Sequence, residues 1–125
     1  MITGVHHIAM KCGTTEEVER VKDFYINTLG MSIRREWPDG IMIDTGNCLL
    51  EIFTNGDGVK ELGALRHIAF ATDDVDEIIR LVKDAGYEVF IEPTDKEMQS
   101  NPAYPFRMAF CYGPLGEEVE FFCEK

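Results

Sequence analysis

The chain has 125 residues, enough for one domain of ~100–150, and its 45% hydrophobic and 28% charged residues exclude a disordered chain. Twelve Lys and Arg against 23 Asp and Glu leave a net charge of −11, which repels phosphate backbones and anionic lipid and so excludes nucleic-acid and membrane-surface partners. No apolar run approaches the ~20 residues of a membrane span.

Residues 1–7 show neither a basic start nor a signal-peptide core, so a cytoplasmic location is expected. Cys12, Cys48, Cys111 and Cys123 are scattered, with no C-x-x-C pair, and read as reduced, packed thiols. His7-Ile8-Ala9-Met10 predicts a first strand. Ile8, Met10 and Cys12 share one face; His7, Ala9 and Lys11 share the other. His6 falls on the opposite parity to His7 and reads as a surface or structural residue. A helix follows from Thr14, with Glu17 three residues on as in a capping box. Its apolar stripe is Val18, Val21, Tyr25 and Leu29, and Gly30 suits the position just past its end. Pro38-Asp39-Gly40 and Gly46-Asn47 then divide residues 31–54 into three strands.

The order begins again at His67-Ile68-Ala69-Phe70. A helix from Asp73 or Asp74 buries Val75, Ile78, Ile79 and Val82 and stops at Gly86; Gly113-Pro114-Leu115-Gly116 turns the last hairpin. We read a single domain of two strand–helix–three-strand repeats: about 1–54, a Gly-rich linker at 55–64, and about 65–125. From Gly to Glu is 21 residues in the first repeat and 34 in the second, Gly30 to Glu51 against Gly86 to Glu120. Most of the extra length falls in 93–105, which reads as a surface connection or a lid.

Each repeat closes on a strand with one Glu among apolar residues: Leu50-Glu51-Ile52-Phe53 and Val119-Glu120-Phe121-Phe122. Strand parity sets Glu51 away from Leu50 and Ile52, and Glu120 away from Val119 and Phe121. Each repeat thus offers one His and one Glu on the face turned from its helix. A two-fold rotation relating the halves would bring His7, Glu51, His67 and Glu120 together. Two imidazoles and two carboxylates suit Zn, Ni, Co, Fe or Mn, and the carboxylates would balance a divalent charge. A dinucleotide fingerprint, a P-loop and a nucleophile elbow are absent from the sequence.

The paired His-Ile-Ala strings, the Glu-Ile-Phe ending and the run Gly113-Pro114-Leu115-Gly116-Glu117-Glu118-Val119-Glu120-Phe121 resemble the vicinal oxygen chelate superfamily. The resemblance covers essentially the whole chain. It implies an α+β fold of two βαβββ modules forming a U-shaped metal-binding cleft. It places His7, Glu51, His67 and Glu120 at the four ligand positions of a single divalent ion. This set looks most like glyoxalase I (lactoylglutathione lyase). The implied chemistry is a lyase or isomerase reaction on a small α-oxygenated substrate or thiol adduct, by proton transfer through a metal-stabilised enediolate. Glu120 is then the base, and Glu51 the steadier ligand and second catalytic carboxylate. Asn55 matches a glutathione contact; Lys11, Arg66 or Arg107 would meet anionic groups. Lys11 stands where those enzymes have Arg, and Thr94–Pro105 replaces a shorter Gly-rich loop, which points to a substrate other than glutathione. The alternatives are a non-catalytic small-molecule binder of the bleomycin-resistance type and an epimerase or isomerase of the same superfamily. A homodimer is also implied.

Overall fold

Both halves of the chain run strand, helix, three strands. The computed structural model describes residues 1, 5–57, 63, 65–98, 100 and 102–125, the side chain of residue 98 excepted. The chain divides into two compact units, Met1–Glu61 and Leu62–Lys125. The division falls in the segment expected as a linker, of which residues 58–62 and 64 lie outside the described residues.

Unit 1 contains β1 (His7–Lys11), α1 (Thr15–Lys22), a π-helical continuation (Asp23–Thr28), β2 (Ser32–Trp37), β3 (Gly40–Asp44) and β4 (Leu49–Phe53). Its sheet has the order β1-β4-β3-β2, with β1 parallel to β4 and the other pairs antiparallel. Thr14 caps α1 by accepting from the Glu17 N–H at 3.1 Å. The Glu17 carboxylate reaches back to the Gly13 N–H at 3.3 Å, one residue before the partner a standard capping box uses. The sequence predicts one α-helix here. The structure instead widens its second half, with Leu29 N–H bonding the Phe24 carbonyl five residues back. Phe24 and Tyr25 are both fully buried there, edge to face at 4.8 Å. Phe24 lies outside the expected stripe, although its spacing of three from Val21 marks it as a core position.

Unit 2 contains β5 (His67–Ala71), α2 (Val75–Asp84), β6 (Val89–Met98), β7 (Tyr104–Tyr112) and β8 (Glu118–Glu124), in the order β5-β8-β7-β6. Asp74 caps α2 by accepting from the Glu77 N–H at 3.0 Å. Val75, Ile79 and Val82 form its buried stripe, and the helix packs on β6, β7 and β8. Both helical segments run out at glycines with positive φ, Gly30 at 77° and Gly86 at 90°, a backbone that side chains resist.

The expected surface connection at 93–105 is corrected: most of it is sheet. Thr94 to Met98 pair with Met108 to Tyr104, lengthening the β6–β7 hairpin. Its prolines are tolerated because of where they sit. Pro93 lies in a register break of the edge strand β6, and Pro105 lies at the start of β7, opposite Glu97.

Candidate functional site

The parallel pairings put a His and a Glu together twice. In unit 1, Ala9 is the register partner of Glu51, and His7 lies two residues earlier on the same face. In unit 2, Ala69 is the partner of Glu120, with His67 two residues earlier. The imidazole Nε2 to carboxylate distances are 3.7 Å for His7–Glu51 and 3.2 Å for His67–Glu120. Both imidazoles are about two-fifths exposed (40% and 42%), and both carboxylates are set deeper (15% and 12%). The core residues Leu50, Ile52, Val119 and Phe121 point the other way, as alternation requires. Burial pushes the Glu120 carboxyl up from its usual range, and His67 partly offsets the shift.

Around these donors the two faces differ. His7 Nδ1 meets His6 Nδ1 at 2.9 Å. His67 instead lies edge-on to Phe110 at 5.3 Å. A cation fits this donor chemistry: imidazole nitrogen and carboxylate oxygen are borderline and hard ligands, and Glu51 and Glu120 each face a nitrogen lone pair or N–H from a half-open side. Among the described residues, no group of three or more His, Cys, Asp or Glu side chains stands ready for a metal; the donors occur as these two pairs.

The expected substrate contacts separate. Lys11 extends from the same face as His7, its ammonium 5.6 Å from the Phe53 ring centre. Asn55 is exposed and precedes Gly56, whose N–H bonds the Cys12 carbonyl at 2.8 Å, so the chain returns over the end of β1 that carries Lys11. Arg66 is exposed just before β5. Arg107 is a correction. It shares a face with Ala109 and Cys111, whose partners Phe121 and Val119 are core residues, so it projects toward α2 and away from Glu120. There it donates two bonds to Asp76 (2.7 and 2.8 Å) and one to Asp95 (3.1 Å). The same alternation that grouped Arg107 with Ala109 and Cys111 removes it from the His–Glu face. Trp37, which the sequence reading passed over, stands on the His7–Glu51 face. Its only sequence signal was its place before the Pro38-Asp39-Gly40 turn.

All four cysteines are free, Cys12 and Cys111 buried. Burial pushes the Cys111 thiol up to about 12, so it stays protonated and unreactive at neutral pH. No helix among the described residues is long and apolar enough to cross a membrane.

The family model for the glyoxalase/bleomycin resistance protein/dioxygenase superfamily matches residues 4–121. A lactoylglutathione lyase of Neisseria meningitidis is 30% identical over 131 aligned positions, covering 95% of this chain and 89% of the relative. An uncharacterized protein of Bacillus subtilis, YwkD, is 26% identical over 98% of both chains. Among solved structures, SMU.1112c superposes with a TM-score of 0.76 at 23% identity, covering 98% of this chain and 99% of that one. A glyoxalase/dioxygenase from Nostoc punctiforme gives 0.74 at 17% identity, covering 98% and 91%. The fold is therefore that of two βαβββ modules, and the chain belongs to the glyoxalase/bleomycin resistance protein/dioxygenase superfamily.

Proposed function

We propose that the protein is a divalent-metal-dependent lyase or isomerase acting on a small substrate with two adjacent oxygens. The carrying observation is the His–Glu pair built twice in the same strand register, His7 with Glu51 and His67 with Glu120. On this reading His7, Glu51, His67 and Glu120 are metal ligands, two imidazoles and two carboxylates. The lactoylglutathione lyase relative supports the same reading.

When bound, the ion supplies Lewis-acid stabilisation of negative charge on the substrate's vicinal oxygens. The chain's own residues do the rest. Glu120 takes the proton from the carbon next to the substrate carbonyl and returns it to the neighbouring carbon. Glu51 remains a ligand. Lys11, exposed at the end of β1, meets an anionic substrate group, with Asn55 beside that strand end. The protein acts in the cytoplasm as a homodimer on this reading, and light scattering at micromolar concentration tests the dimer.

Metal analysis of protein purified without chelator is the direct test, followed by turnover of methylglyoxal with several thiols, glutathione included, in the Ni, Zn and Co forms. Stoichiometric metal with turnover supports the proposal. Stoichiometric metal without turnover of any candidate, and without deuterium exchange from solvent into it, favours the binding-protein alternative. No metal, with stability unchanged by chelator, overturns the reading.

A further inference from the structure

Lys11, Phe53, Gly40 and Trp37 form one row across all four strands of unit 1. Lys11 pairs with Phe53, Phe53 with Gly40, and Gly40 with Trp37. The next row along the same face is Ala9, Glu51, Met42 and Arg35. Gly40 is therefore the diagonal neighbour of Glu51, about 7–8 Å away and within reach of an aromatic side chain.

Trp37 fills the space that Gly40 leaves. A Cβ at Gly40 would lie 2.3 Å from Trp37 Cζ2 and 2.6 Å from Cε2. The indole thus lies across bare backbone, and its other neighbour is Phe53, edge to face at 6.2 Å. Both rings are half-buried. A ring held between a glycine and a second aromatic gives a fixed apolar wall at low entropic cost.

We infer that Trp37, seated on Gly40 and braced by Phe53, determines substrate specificity by receiving an aryl group carried on the carbon that bears a metal-chelating oxygen. This deepens the proposed function and rests on it. The wall stands one row beyond Glu51, and a phenyl group on the chelating carbon reaches farther from that carbon than a methyl group does. The substrate class is an aryl-substituted α-oxygenated compound.

Acetohydroxamate and benzohydroxamate test this. Each offers two vicinal oxygens to a metal, and they differ in a methyl against a phenyl group. Affinities for the Ni²⁺-loaded protein are measured by calorimetry. Fluorescence of Trp37, the one tryptophan in the chain, gives a second readout. The expected result is quenching by benzohydroxamate and a phenyl-over-methyl preference that falls about three- to tenfold in Trp37→Ala. Trp37→Phe retains part of the preference. Gly40→Ala loses it with the indole still present, because the added methyl meets both the ring and, at 2.9 Å, the Ile52 carbonyl oxygen beside Glu51; unchanged Ni²⁺ affinity in that variant separates the ring's displacement from damage to the ligand strand. An unchanged preference in Trp37→Ala overturns the inference, since that edge-strand substitution leaves the core intact. Equal affinities for both ligands in the wild type also overturn it. Failure of both hydroxamates to bind the metal-loaded protein overturns this inference alone, whereas failure to load any of Ni²⁺, Zn²⁺, Co²⁺, Fe²⁺ or Mn²⁺ overturns the metal reading and this inference with it.

Discussion

The two units place the same donors in the same register and surround them differently. In unit 1 the row beyond Glu51 is Lys11, Phe53, Gly40 and Trp37. In unit 2 the row beyond Glu120 is Ala71, Phe122, Met108 and Thr94. The first offers a cation and a pinned indole. The second is apolar but for Thr94 at its edge, with Phe122 stacked on Phe106 at 4.7 Å and Tyr104 beyond it. Strand pairing fixes where the donors stand, while the residues one row away differ between the units. Unit 2 adds length to the same plan: two further rows of β6–β7 pairing carry Lys96 opposite Phe106 and Met98 opposite Tyr104.

The largest effects should come from the two carboxylates, and they test whether the units are equivalent. Glu51→Gln and Glu120→Gln should each weaken Ni²⁺ binding in chelator competition by more than the roughly 10–100-fold that outer-shell partners are worth. At saturating metal, Glu120→Gln should lose a further ~10²–10⁴ in kcat, as removal of a general base does, and Glu51→Gln should not. Equal losses would show that the two pairs are interchangeable.

Packing comes next. Phe24→Ala, at the π-helical turn of unit 1, should cost about 3–5 kcal/mol in urea unfolding, and Ile79→Ala on α2 about 2–5 kcal/mol. A Phe24→Ala cost near 1 kcal/mol would mean that the widened turn adds little to the core. The caps should differ least: Thr14→Ala and Asp74→Ala should each cost about 1 kcal/mol.

The smallest effect depends on pH and belongs to unit 2. Arg107 beside Asp76 holds that carboxyl below its usual range; Asp95 is held low by Lys125 first and by Arg107 second. A carboxyl whose folded pKa is depressed adds stability that is present above its unfolded pKa and lost as the pH falls through the folded one. Arg107→Met should therefore be less stable than the wild type at pH 7. The gap should close as the pH falls below the ordinary carboxylate range of about 4. A gap that persists in acid would mean that Arg107 acts through packing of its stem instead.

Much of the fold was legible because its signals are local. Thr14 and Asp74 begin helices where a side-chain oxygen caps free N–H groups, and Gly30 and Gly86 end them through positive φ. The two-residue period put His7 and Glu51, and His67 and Glu120, on the faces opposite the core. Three features were not legible. The π-helical winding at Asp23–Thr28 depends on how Phe24 and Tyr25 bury together, not on helix propensity. The strand at 94–98 overrides its proline signals because Pro93 sits in a register break on an edge strand. The role of Arg107 depends on Asp76, a partner 31 residues away on another element.

By itself the sequence determined the repeat, its helix ends, its turns and the parity of the four donors, because each follows from neighbours a few residues apart. Only the tertiary structure decided the register. Parallel pairing of β1 with β4 and of β5 with β8 brings each Glu 3.7 or 3.2 Å from its His. The same register seats Trp37 on Gly40 beside Phe53. Register is set by long-range burial of one sheet face, where a slip of one residue would turn every core side chain outward, and no local spacing encodes it.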